Sequence, residues 1–208
     1  MALVKYNNNS ISAVTSAAAI PSGAMTLIKT LTASSSSTLS FVNGSSDVVL
    51  DSTYPIYVFK FIKIHGSTDA QFQLNFSVDG GSNYNVTKTT TKFSAYHNEA
   101  DDGAGIGYDS NDDMAQGTGF VSITANGNQD SENDECMNGT MHLYNPSSTT
   151  FVKHFITRTS SNIDSDYLSD AFNGGYGNTT SAINAVQFKF ASGNIDSGTI
   201  KLYGIKDS

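Results

Sequence analysis

Tryptophan is absent from this chain of 208 residues, cysteine and arginine occur once each, and proline and glutamate occur three times each. Each shortage removes a class of protein. A lone Cys136 cannot form an intrachain disulfide, which fits a chain assembled in a reducing cytoplasm. Asp134 and Glu135 beside it disfavour a thiolate, so Cys136 reads as structural or incidental rather than as a nucleophile. With so little Arg and Glu, and no stretch with apolar residues at three-and-four spacing, long helices are not expected. The net charge of −8 with no basic stripe argues against a nucleic-acid partner. The lysines, among them Lys60, Lys63, Lys88, Lys92, Lys153, Lys189 and Lys201, are scattered along candidate strands and read as solvated faces and protected edges.

Long apolar runs are missing as well. No segment approaches the roughly 20 residues of a membrane span, so membrane insertion is not expected. Ile11 to Ile20 is interrupted by Ser12, Thr15 and Ser16 and is not read as a secretory signal. His65, His97, His142 and His154 are far apart and form no zinc motif. No Gly-x-Ser-x-Gly elbow exists, and Gly103-x-Gly105-x-Gly107 lacks the helix and basic residue of a phosphate cradle, so these glycines read as loop material. Nothing fixes a pair of carboxylates at the separation needed for glycoside hydrolysis. The expectation is a protein that is not an enzyme.

What is present is Ser, Thr, Asn and Gly between short apolar alternations, the composition of many strands joined by hydrogen-bonding turns. Strands are expected at Met25 to Leu31, Thr38 to Val42, Val48 to Leu50, Ile56 to Ile64, Gln71 to Val78, Tyr84 to Phe93, Phe120 to Ala125, Asn138 to Tyr144 and Thr150 to Thr159, and in a terminal pair within Asn184 to Ile205. Both faces of Ile56 to Ile64 are apolar, which predicts a central strand covered on both sides. In Gln71 to Val78, Phe72, Leu74, Phe76 and Val78 are expected inward and Gln71, Gln73, Asn75 and Ser77 outward, and Asp79-Gly80-Gly81-Ser82 predicts a hairpin turn towards Tyr84 to Phe93. Gly139-Thr140-Met141-His142-Leu143-Tyr144 is echoed by Gly198-Thr199-Ile200-Lys201-Leu202-Tyr203, so similar strands occur twice. These features predict an all-β chain of ten to twelve strands, an antiparallel two-sheet sandwich of jelly-roll-like connection. Residues 1–24 read as an extended N-terminal arm, able to span on the order of 80 Å, and 25–208 as a single domain.

Acidic residues gather in Glu99 to Asp113, Asp130 to Glu135 and Asp164 to Asp170. Asp109, Asn111 and Asp113 have the spacing that opens a calcium loop, and Asp130, Glu132 and Asp134 repeat it. Both lack the Gly and Glu that complete an EF-hand, so solvated loop charge competes with calcium as the reading. Tyr84, Tyr96, Tyr108, Tyr167 and Tyr176 are read on loops, with Tyr108, Tyr167 and Tyr176 the candidates for an interface. Asn173 to Asn178 reads as a flexible, aromatic-tipped loop.

The ending Ser192-Gly193-Asn194-Ile195 followed by Gly198-Thr199-Ile200-Lys201-Leu202-Tyr203-Gly204-Ile205 resembles β-sandwich virion structural proteins of marine tailed phages, cyanophages among them. Phe59-Lys60-Phe61-Ile62, Asp79-Gly80-Gly81-Ser82-Asn83-Tyr84, Tyr96-His97-Asn98-Glu99-Ala100 and Asn145-Pro146-Ser147-Ser148-Thr149-Thr150 follow the same order, and the resemblance covers most of the chain. It implies a virion location, assembly in the host cytoplasm, homo-oligomers with a trimer as first expectation, and contact with a major capsid protein or tail proteins. Three roles stay open: a capsid decoration protein, a tail fibre, knob or appendage subunit recognising host-surface glycans, and a calcium-dependent carbohydrate-binding module outside any virion.

Overall fold

A computed structural model describes residues 25–125, 127–163 and 166–206. The expected arm, 1–24, lies outside them. The described residues form strands β1 (Met25–Thr32), β2 (Leu39–Val42), β3 (Ile56–Gly66), β4 (Phe72–Ser77), β5 (Lys88–Asn98), β6 (Ala104–Tyr108), β7 (Met114–Gly117), β8 (Val121–Ser122), β9 (Met137–Tyr144), β10 (Lys153–Ile163), β11 (Tyr167–Gly177), β12 (Ala185–Phe190) and β13 (Ile195–Ile205). The larger sheet runs β1-β13-β3-β9-β10-β11-β5-β6, with β7 also paired to β5; the smaller runs β2-β12-β4-β8. Every pairing between these strands is antiparallel. The fold is the all-β, jelly-roll-like two-sheet sandwich that the sequence predicts, with successive strands β1 to β5 alternating between the sheets.

The core follows from period-two alternation on strands whose inner positions are large and apolar. Phe41 of β2, Phe59 and Phe61 of β3, Phe72 and Phe76 of β4 and Phe188 of β12 are all buried. Phe188 is the hub: its ring centroid lies 5.4 Å from Phe59, 5.2 Å from Phe61 and 6.0 Å from Phe72. Edge-to-face and stacked contacts at these separations add to the area each ring buries. The repeated Gly-Thr…Leu-Tyr strands are β9 and β13, and they flank β3 on its two sides, Met141 and Leu202 both pairing with Phe59.

Several expectations are corrected. Val48 to Leu50 is not a strand: its side chains enter the core, but Val48 donates to the Ser45 carbonyl and Leu50 N–H to Asn43 Oδ1, so the backbone is spent on a turn. The Gly80 and Gly81 turn is real, both residues having positive φ, yet β4 and β5 do not form a hairpin. β4 pairs with β12 and β8 and β5 with β11, so the turn carries the chain from one sheet to the other. Asn75 and Ser77 are buried rather than outward, and Val78, expected inward, is exposed. β3 is central, and its outer face is buried at Val58 but exposed at Ile62, so the expected cover on both sides is incomplete among the described residues. A register shift between Phe61 and Ile64, with Lys63 at φ 51°, turns Ile64 into the core and leaves Ile62 exposed on the outer face.

The largest corrections fall on segments read as loops. Tyr167–Gly177 is an eleven-residue strand paired on both sides, and Ala104–Tyr108 is an edge strand. Their inner positions are small or polar, which hid the alternation. At Gly175 an added Cβ would meet Thr90 and Phe155 at 2.7–2.8 Å, so the glycine is what lets β11 approach its neighbours. Tyr96, Tyr108, Tyr167 and Tyr176 therefore stand on strands, not loops.

Candidate functional site

The inner face of the larger sheet changes character towards β5 and β6. Lys88 and Lys92 of β5, Lys153 of β10 and Asn173 of β11 are buried there, correcting the reading of these lysines as solvated. Lys88 Nζ donates to Asn75 Oδ1 at 2.6 Å and to the Val86 carbonyl at 2.8 Å, with neutral partners only. Burial without a counter-charge pulls its pKa down to about 8. Lys92 Nζ meets Asp112 Oδ2 at 2.7 Å, and Gln71 Nε2 donates to the same carboxylate at 2.9 and 3.0 Å. Burial lowers the Lys92 pKa against the opposing pull of Asp112.

Beyond this lysine layer the larger sheet extends into a pocket of about 300 Å³ lined by Ser94, Tyr96, Asp109, Ile163, Tyr167 and Ser169. Four strands build it. β5 supplies Ser94 and Tyr96, β10 ends in Ile163, β11 supplies Tyr167 and Ser169, and Asp109 follows the end of β6. The Tyr96 and Tyr167 rings meet edge-to-face, centroids 5.7 Å apart at 69°. Ser94 Oγ donates to the buried Asp109 carboxylate at 2.9 Å. The glycine run set aside as loop material makes room for these rings: a Cβ on Gly103 would collide with the Tyr167 hydroxyl and one on Gly105 with that of Tyr96, whereas one on Gly107 would meet nothing.

The pocket brings together Asp109 and Tyr167, which the sequence reading assigned to separate roles, and adds Ser94, Ser169 and Tyr96, the first two of which carried no sequence signal. Asp113 lies elsewhere, accepting a hydrogen bond from the Tyr108 hydroxyl, so the carboxylates of Asp109 and Asp113 have different partners. Tyr176 stands near His154 on the outer face, ring centroids 5.7 Å apart. Asp69, Asp130 and Glu132 are the carboxylates that converge, with ligand atoms within 4.8 Å of one another. Ser131 holds Asp69 through its hydroxyl at 2.6 Å. Glu135, pressed by burial and by Asp130, Glu132 and Asp134, is pushed up to about 7.

Among the described residues, no second sheet packs on the outer face of the larger sheet. Phe93 is 44% exposed, Ile106 74%, Tyr108 57%, Ile156 52% and Leu168 54%. Register puts two of them in one row: Tyr108 pairs with Phe93, Phe93 with Phe172 and Phe172 with Arg158. Phe93 and Phe172 stack at 4.9 Å, and Arg158 caps Phe172 at 4.9 Å while its guanidinium also grips Asp170 at 2.7 Å. Comparison with known protein families, curated proteins and solved structures finds no match to this chain.

Proposed function

We propose that the chain is a non-enzymatic structural protein of a phage particle, displayed on the exterior as a decoration protein and working through many subunit contacts. The observation that carries this is the open outer face of the larger sheet, where large apolar side chains adjacent in register stand in water. A contiguous exposed patch of that kind marks a contact surface. Its charges include Lys60, Lys201, the self-paired Arg158 and Asp170, and Asp113 on the Tyr108 hydroxyl, so both signs are present on a chain that carries −8 as a whole. The proposed occupant is a second copy, whose equivalent face offers the same apolar side chains and charges of both signs, with a trimer as the first assembly to seek. The resemblance described from the sequence supplies the virion, with a major capsid protein as the further partner.

Two measurements test it. Light scattering on the purified chain should show a homo-oligomer that Ile106→Asp with Ile156→Asp converts to monomers of unchanged circular dichroism. Quantitative mass spectrometry of purified particles should find it in high copy number. A monomeric chain absent from particles overturns the proposal, and a handful of copies moves it to a tail appendage.

A further inference from the structure

We infer that the pocket between Tyr96 and Tyr167 binds a neutral saccharide, one pyranose ring seated against the tyrosines with its hydroxyls on Asp109 and the two phenol groups. This goes beyond the subunit-contact role and uses the opposite face of the sheet. The lining excludes the other ligand classes in turn. Apart from Ile163, every lining side chain ends in a hydroxyl or carboxylate oxygen, and none is Lys, Arg or His. An anion would face the Asp109 carboxylate with no counter-charge in the wall. An apolar ligand would cover the Tyr96 and Tyr167 hydroxyls and return no hydrogen bonds, which is costly. A cation would find Asp109 already engaged, because Ser94 donates to it and its charge acts on the buried Lys92 ammonium behind.

A pyranose fits what remains. Its hydroxyls donate to the Asp109 carboxylate and accept from the Tyr96 and Tyr167 hydroxyls, and its C–H face lies on an aromatic ring. The perpendicular tyrosines offer one ring face and one ring edge as a corner. A volume of about 300 Å³ is at the small end of ligand pockets and suits one ring rather than a chain. The Phe93 and Phe172 stack on the outer face cannot do the same work, since Phe172 has one ring face on Phe93 and the other on Arg158.

Gly107 gives the decisive variant. It pairs with Ser94, so a side chain there shares the face of the pocket, and it has open space around it without positive φ. Saturation-transfer NMR on the full chain with D-glucose, D-galactose, D-mannose and N-acetyl-D-glucosamine should show transfer to ring protons of at least one sugar. Gly107→Leu should abolish it at unchanged thermal stability. Asp109→Asn should weaken binding about tenfold, the effect of degrading a charged hydrogen bond. Ile106→Asp, on the outer face, should leave sugar binding intact, which separates this site from the contact surface. No transfer to any of these sugars, transfer that survives Gly107→Leu, or competition by L-arginine or inorganic phosphate in place of sugar overturns the inference.

Discussion

Where β3, β4 and β12 meet, the interior is Phe59, Phe61, Phe72 and Phe188; where β5 and β11 face β4 and β8, it is Lys88, Lys92, Asn75, Asn173 and Ser122, equally shut from water. The aromatic region is held by area and by ring contacts that tolerate small shifts. The polar region is held by directed bonds, each of which leaves a buried donor or acceptor stranded when its partner goes. The polar region also keeps unpaired atoms, Thr90 Oγ1 and Asn173 Oδ1 among them. Of the two regions, the polar one is more exposed to single substitutions and to pH.

The largest effect should come from setting one removal against the other. Phe188→Ala should cost about 3–5 kcal/mol as a cavity opens among four strands, and Asp112→Ala a comparable 3–5 kcal/mol by taking from the buried Lys92 ammonium its ion-pair partner. Urea unfolding measures both. The regions separate in the repair: Lys92→Met should recover most of the Asp112→Ala loss in the double variant, while no single polar substitution should rescue Phe188→Ala. If Asp112→Ala proves neutral, the buried pair is not a working contact.

A pH series sharpens the contrast at an intermediate scale. Lys88 titrates at about 8 in the fold against 10.5 when free. Between those values the unfolded chain holds a proton that the folded chain has released, so stability rises with pH across the window and is lowest below about 8. The gain is at most on the order of 3 kcal/mol. Tyr57, pushed up to about 12 by burial, acts in the opposite sense above about 10, so the melting temperature should climb between pH 7 and about 9.5. Lys88→Met should flatten that climb, and a flat profile in the unsubstituted chain would remove the buried ammonium from the account.

The smallest effect belongs to Glu135, outside both regions. Its pKa of about 7 against 4.5 means that the folded chain keeps a proton the unfolded chain loses between those values. Stability therefore falls as pH rises from about 4.5 to about 7, and Glu135→Gln should raise the melting temperature at pH 7.5 by more than at pH 4.5. Equal shifts at both pH values would show that the neighbouring carboxylates do not press on it.

The same two regions decide how much the sequence reveals. β3, β4, β12 and β13 were legible because Phe, Leu and Ile occupy alternate positions, a signal with little competition from turns. β6 and β11 were not, because Gly103, Gly105 and Gly107, or Ser169, Asn173 and Gly175, occupy the inward positions and imitate a loop. The pocket inherited that opacity. Its tyrosines and Asp109 drew attention as residue types, but their convergence depends on register between strands more than 60 residues apart, such as Ser169 with Tyr96. The buried lysines misled for a related reason: alternation says which residues share a face, not whether that face meets water.

The position of β13 between β1 and β3 has a consequence for how the chain is made. Met25, among the first described residues to leave the ribosome, has Ile205 as its partner. Among the described strands β1 pairs only with β13, so it waits until β13 has been made, and the larger sheet cannot zip shut from its beginning. Such distant pairing delays closure. A ribosome halted before Ile195 would hold a nascent product in which β1 and one flank of β3 are both unclaimed, ready to capture the same strand from another chain.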